Sequence, residues 1–302
     1  MSVITTGNHP KLLWPGLKAL FGLTYDSVPM QHSQVFDEGE SDKAYEEVQE
    51  ITGFGLAPVK SEAGSISYDS HTQGYTTRFT NVTYGLGFIE SQEAVEDNQY
   101  KGRATSRTKA LARSMRVTKE TVLSNIINRA FTAAYAGGDG KEMIATDHPT
   151  VSGSQSNEMA TPADLSEASL EDMIIQIMNA TDSRGLRINL TPQKLIVPSN
   201  LAFEAERILK SSLQNDTANN AVNAVKSMGL LPGGSLVWRY LTDTDAWFVK
   251  TDAPEGLLLF NRRALSFDKD SDFDTSNFKH KATERYVGGW ADWRALYGSL
   301  GA

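Results

Sequence analysis

"SISYDSHTQGYTTRFTNVTYGLGFIESQEAVEDN" spans residues 65–98 and holds two alternating patterns whose parity changes part-way along. Tyr75, Thr77 and Phe79 fall on odd positions, whereas Val82, Tyr84, Leu86 and Phe88 fall on even ones. A period of two belongs to a strand with one buried face, so the slip near Thr80–Asn81 predicts a bulge or kink. "DSHTQG" at 69–74 carries turn signals, which gives a long two-stranded hairpin within residues 52–90. An isolated hairpin is marginal in water, and little nearby sequence is suited to cover this one. It is therefore expected to pack against another chain, with Tyr68, Tyr75, Arg78 and Phe79 as candidate contacts.

Beyond it, residues 92–136 read as one long helix. Leu111, Met115, Val122, Ile126 and Ala130 recur at helical spacing, and Leu123, Ile127, Phe131, Ala134 and Tyr135 widen the stripe. No Pro interrupts it, and "GGDG" at 137–140 ends it, giving roughly 60 Å of helix. The apolar spacing lasts too few heptads for a coiled coil. Lys101, Arg103, Arg107, Lys109, Arg113, Arg116 and Lys119 form a cationic run with no acid among them. A solvated face would account for it. The sharper reading has Lys109, Arg113 and Arg116 meeting acidic surface of this or a neighbouring copy, or nucleic acid.

Upstream, Pro10, Pro15 and Pro29 break up residues 1–50, and Asp37, Glu38, Glu40, Asp42, Glu46, Glu47 and Glu50 form an acidic cluster. It reads as an arm lying on something else, or as a solvated leader with a short amphipathic helix near 41–50. Downstream, 141–170 reads as loop-rich, and a helix at about 166–182 follows with Ser166 as N-cap and Met173, Ile174, Ile177 and Met178 apolar. "QKLIVPS" is a short buried strand stopped by Pro198, and "SNLAFEAERILKS" is a helix. "SLVWRYL", "AWFVKT" and "GLLLFNRRALSFD" are strands. In "KHKATERYVGGWADWRALYGS" (279–299), Lys279, Lys281 and Arg285 share one face of a closing strand. Gly288–Gly289 then allow a bend that turns Trp290, Trp293 and Tyr297 toward the core or a neighbour.

Chemistry is hard to find. The composition, 40% hydrophobic and 22% charged, is that of an ordinary globular chain. Absence of Cys excludes thiolate catalysis, disulfides and Cys-based zinc sites, and the five His are scattered. No apolar run is long enough to span a bilayer, and the start lacks a secretory pattern, so synthesis in the cytoplasm is the default expectation. Net charge of −8 argues against general nucleic-acid binding. Asp268, Asp270, Asp272 and Asp274 resemble the start of a calcium loop, but the sixth and twelfth positions are Phe273 and Lys279, so an exposed extended face fits better. Asp243 and Asp245 read as a turn, and His148 beside Asp147 has no nameable nucleophile. A metal-dependent hydrolase built on Asp243, Asp245 or His148 is the enzymatic alternative, and an adhesion module built on the β-rich half is a third reading. No catalytic, cofactor or metal site is expected.

The order of these pieces, together with "ATDHP", "LTPQKLIVPSNLAFEAERIL", "DAWFVKTDAPEGLLLFNRRALSFD" and "KATERYVGGWADWRALYGS", resembles bacteriophage major capsid proteins of the Hong Kong 97-type fold, nearest the Mu-type major head subunit. That resemblance implies an α+β fold divided into an N-terminal arm (1–51), an extended hairpin loop overlapping a neighbour (52–90), a peripheral domain with a spine helix (91–165), a mixed α/β axial domain (166–264) and a peripheral return (265–302). It implies self-assembly through pentamers and hexamers into an icosahedral shell around double-stranded DNA, which would touch the inner surface non-specifically. Portal, scaffolding and decoration proteins are the implied partners, with no membrane. The location would be the virion, assembled in the host bacterial cytoplasm. The nearest alternative is a bacterial nanocompartment of the same fold. The leading residues look too few for a cleaved scaffolding segment, and the type member's Lys–Asn cross-link is not carried over to any pair of this sequence.

Overall fold

The computed structural model describes residues 14–91, 93, 100–214, 221–272 and 277–302. Helix α1 (Trp14–Ser27) leads into β1 (Asp37–Glu40), β2 (Tyr45–Ile51), β3 (Gln73–Thr80) and β4 (Val82–Glu90). Helix α2 (Tyr100–Asn128) is followed by the short β5 (His148–Thr150) and β6 (Gly153–Gln155). Then come α3 (Glu167–Met178), β7 (Pro192–Val197), α4 (Ala202–Lys210), α5 (Ala224–Met228), β8 (Ser235–Val237) and β9 (Trp247–Thr251). The chain closes with β10 (Leu257–Ser271), β11 (Phe278–Trp290) and β12 (Leu296–Ser299).

Two four-stranded sheets carry the molecule. One has the order β1-β10-β11-β4, in which β1 runs parallel to β10 and the other pairs are antiparallel. The other has the order β12-β9-β7-β8, with only β7 and β8 parallel. In the second sheet Ile196 and Phe248 face one core, whereas Leu195, Val197, Trp247 and Val249 face another. Both faces are covered, which explains the unbroken apolar run of "LIV". The first core is shared between both sheets and α2 through Leu123 and Ile127 of α2, Tyr286 and Trp290 of β11, and Ile196, Phe248 and Leu296 of the second sheet. Helices α3 and α4 close the second core with Leu170, Met173, Ile174, Ile177, Ala205 and Ile208. A third, between α1, α2 and the first sheet, holds Leu17, Phe21, Leu111, Met115 and Phe267.

Several expectations meet the structure unchanged. Ser166 caps α3 in a reciprocal capping box with Ser169. Asn81 is the break between β3 and β4, where the side-chain parity changes. Other expectations are corrected. Residues 41–50 hold no helix: β2 is an extended strand that alternates exposed and half-buried residues, and each of its acids finds a partner. Glu46 accepts from Ser41 (2.8 Å), Glu47 pairs with Arg78 (2.7 Å), and Glu50 accepts from Ser183. Residues 69–74 are not a hairpin turn, since β3 pairs antiparallel with β2, not with the residues just before it. Helix α1 forms despite Pro15, which sits in its first turn, where a missing N–H costs nothing.

Helix α2 ends at Asn128, giving 29 residues and about 43 Å, and a short 3-10 turn at Ala133–Tyr135 replaces the expected last two turns. Thr132 has left helical geometry for an extended conformation, which lets Phe131 pack against Phe248. Of the beginning of the expected helix, residues 92 and 94–99 lie outside the described residues. Met178, counted on the apolar face of α3, is exposed, and "SLVWRYL" is a strand only at its first three residues.

Candidate functional site

A ribbon stands out from the two-sheet body. Strands β2 and β3 form a two-stranded antiparallel ladder joined by residues 52–72, which have no regular secondary structure. The loop is closed at its base: the Thr52 amide donates to the Thr72 carbonyl (3.1 Å), and the Thr72 amide donates to Thr52 Oγ1 (2.9 Å). Beyond that closure nearly every side chain is open to solvent, including Phe54, Leu56, Val59 (99% exposed), Ile66 and Tyr68 (93%). Five large apolar side chains on one projecting loop are an interaction surface with nothing of its own subunit over them. No period runs through "ITGFGLAPVKSEAGSIS", so that cluster was visible in the sequence only as composition.

The structure places the sequence candidates in different surroundings. Tyr68 stands in the loop. Tyr75, Phe79 and Trp290 converge where the ribbon meets the body. Phe79 is buried, edge-on to Phe260 at 5.4 Å, and a Cβ on Gly289 would lie 2.7 Å from its ring. Tyr75 is half-buried beside Gly138, and burial pushes its hydroxyl pKa up, with Asp292 and Glu50 adding to the effect. Arg78 is exposed, ion-paired with Glu47 and stacked 4.2 Å over the Tyr45 ring. Trp290 and Trp293 are buried in this chain's own core, Trp293 stacked on His148 at 4.3 Å. Strand β11 continues through Gly288–Gly289 and keeps its register with β10 there, with no bulge. The two glycines instead make room, one for Leu123 and one for Phe79.

On α2 the cationic face splits. Arg116 is buried, donating to the Tyr25 carbonyl (3.2 Å) with its guanidinium 3.9 Å over the Tyr25 ring, because α1 lies across it. Lys119 donates to Asn261 (3.0 Å) and sits over the Tyr286 ring. Arg113 remains exposed and lines a depression of about 1010 Å³ together with Lys109 and Arg239, with no acidic residue in its wall. The side chains of Lys101 and Arg103 lie outside the described residues.

The residues of the hydrolase alternative are engaged structurally. His148 is fully buried, with Nδ1 at 2.6 Å from Asp139 and Nε2 at 3.0 Å from Asn157. Asp243 accepts from the amides of Asp245 (2.9 Å) and Ala246 (3.1 Å), which is a turn. Asp268 and Asp270 lie exposed on β10, while Phe273 and Asp274 are outside the described residues. Among the described residues no group of His, Asp or Glu could hold a metal ion, and no helix is long and apolar enough to cross a membrane.

A family model described as phage capsid protein matches residues 74–299. The chain belongs to the phage capsid protein family. No curated protein matches this capsid protein in sequence. Among solved structures, it is similar to a virus-like particle from Pyrococcus furiosus, with a TM-score of 0.57 at 12% identity over 94% of this chain and 98% of that one. It is similar to the protein of Microbacterium phage Oxtober96, with a TM-score of 0.56 at 9% identity over 91% and 93%. It is also similar to the capsid of bacteriophage JBD30 decorated with minor capsid protein trimers, with a TM-score of 0.55 at 14% identity over 80% and 100%. At such identities these structures share its fold, the α+β capsid fold of the Hong Kong 97 type. The capsid protein is a structural shell component, and the family match favours a phage head over a nanocompartment. The finer likeness to the Mu-type head subunit rests on motif order alone.

Proposed function

We propose that this protein is the major subunit of a phage head, that its copies gather as pentamers and hexamers, and that residues 52–72 lap over a neighbouring copy. Exposure of Phe54, Leu56, Val59, Ile66 and Tyr68 on a projecting ribbon carries this reading, because solvent-exposed apolar side chains gathered at one tip gain free energy only by docking elsewhere. Single contacts of this kind are weak, and a closed shell makes them strong by repetition. On the same reading, α2 with the first sheet is the peripheral part, the second sheet with α3 and α4 is the axial part, and the virion is the destination after assembly in the host cytoplasm. Exposed Arg113 with Lys109 and Arg239 would face acidic surface of a neighbour or packaged DNA, and portal, scaffolding and decoration proteins would complete the head.

Replacing residues 57–67 with a short Gly-Ser linker tests the reading. Phe79 and both strands of the ribbon stay in place, so the subunit should keep its thermal midpoint while sedimentation shows no shells. Normal shells from that variant would refute the overlap.

A further inference from the structure

The exposed loop does not leave its subunit freely. Asp69, on its returning limb, holds three groups at once. Its Oδ2 accepts from the Gly55 amide on the outgoing limb (2.8 Å) and from Arg184 Nη1 (2.6 Å), and its Oδ1 accepts from the Ser70 amide (2.8 Å). Arg184 also donates through Nη2 to the Ser70 carbonyl (2.6 Å). One guanidinium therefore grips the carboxylate and the backbone of the same limb, while that carboxylate ties in the other limb. The backbone amides of Gly55 and Ser70, then Arg184, hold the Asp69 carboxyl below the usual carboxylate range.

Arg184 belongs to the connection between α3 and β7, and that connection is itself braced. Asp182 Oδ1 accepts from the amides of Arg184 and Leu186, each at 2.8 Å, Gly185 takes a φ of +84°, and the Asp182 amide donates to the Leu186 carbonyl (2.8 Å). The Ser152 amide donates to the Ser183 carbonyl (2.9 Å), and Ser183 donates to Glu50 on β2. Buried Arg294 reaches the same place, donating to the Thr181 carbonyl (3.0 Å) and to Gln155 (2.9 Å). The post is rigid and the loop is pinned to it at one spot near its base, with the apolar tip beyond.

We propose that Arg184 is a positioning residue for shell assembly: through Asp69 it sets the direction in which residues 52–72 project, before any neighbour is met. This rests on the reading of that loop as the contact with a neighbouring copy. A loop already aimed need not be ordered at the moment of docking, so the brace promotes assembly without touching the partner.

Arg184→Ala, Asp69→Ala and the double variant test this, with Arg187→Ala, whose guanidinium donates to Asn179 of the same connection, as a control and the linker replacement of 57–67 as a reference. Arg184→Ala is expected to leave the subunit's thermal midpoint unchanged, to speed tryptic cleavage at Lys60, and to lower shell yield on the order of tenfold as preorganisation is lost. Asp69→Ala should do the same, the double variant should be no worse than either single one, and Arg187→Ala should match the unaltered chain. Full shell yield from Arg184→Ala while the linker variant fails would overturn the brace and leave the loop contact standing. Normal assembly of the linker variant would overturn both. A thermal midpoint that falls in step with the shell yield would make Arg184 a residue of ordinary stability and overturn the proposal.

Discussion

His280 on β11 shows how a residue that looks idle in sequence becomes informative once its surroundings are known. Its ring stacks on Phe88 at 4.7 Å and lies 6.1 Å from Phe267, with Nε2 at 3.7 Å from Glu90. Burial, and then the charge of Lys269, pushes the imidazole down to about 4 from 6.5. The unfolded chain therefore takes up this proton first as pH falls, so the group's effect is to lower stability between pH 6.5 and about 4 and to level off below. Glu90 opposes it in part: burial raises its carboxyl, so the folded state binds that proton earlier. His280→Phe keeps an aromatic ring in the stack and removes the titration. Urea midpoints measured across this interval should then decline less steeply with acid than those of the unaltered protein. An unchanged slope would mean that His280 does not titrate as its burial requires. Nothing within "FKHKATERY" announced this, since neutrality here comes from Phe88 and Phe267 on other strands.

At the scale of elements, periodicity was legible and partners were not. The alternation in β3, the apolar stripe of α2 and the cap of α3 all follow from spacing within one stretch, whereas in β4 only Tyr84 and Phe88 of the alternating set are half-buried, and Val82 and Leu86 are exposed. The strand that pairs with β3 could not be read, because β2 looks like an acidic surface segment until Arg78, Ser183 and Ser41 are placed against its carboxylates. The same limit applies to α2, where Arg113 and Arg116 appear equivalent in sequence but α1 covers only one of them. Arg116→Glu is accordingly expected to cost about 3–5 kcal/mol of subunit stability, as a carboxylate would be buried against the Tyr25 carbonyl without its cation. Arg113→Glu should leave the denaturation midpoint in place and act only on assembly. Equal losses of stability from the two would contradict this division of the helix. The brace at Arg184 belongs to the same class of hidden feature, since 115 residues separate it from Asp69.

For the whole molecule, the α+β capsid fold was legible from the order of a ribbon, a long helix, a mixed portion and a returning strand, and the family match confirms it. For the proposed contact surface, the sequence marked apolar and cationic side chains but not which of them stay open to a neighbour. Tyr68 does stand exposed on the loop, and Arg113 stays free on α2, but Trp290 and Trp293 are spent on the shared core, where Leu123 and Tyr286 surround them. Aromatic residues near a Gly pair suit a boundary as well as a core, and only the position of α2 over β11 decides between them. If the fold serves as its family does, this subunit's working form is a closed shell of its own copies. Negative-stain electron microscopy of the purified protein, with sedimentation on the same sample, decides whether it is. Hollow particles of uniform diameter, or capsomer rings that close into them as salt or concentration rises, are the predicted result. A chain that stays monomeric under every such condition would contradict it.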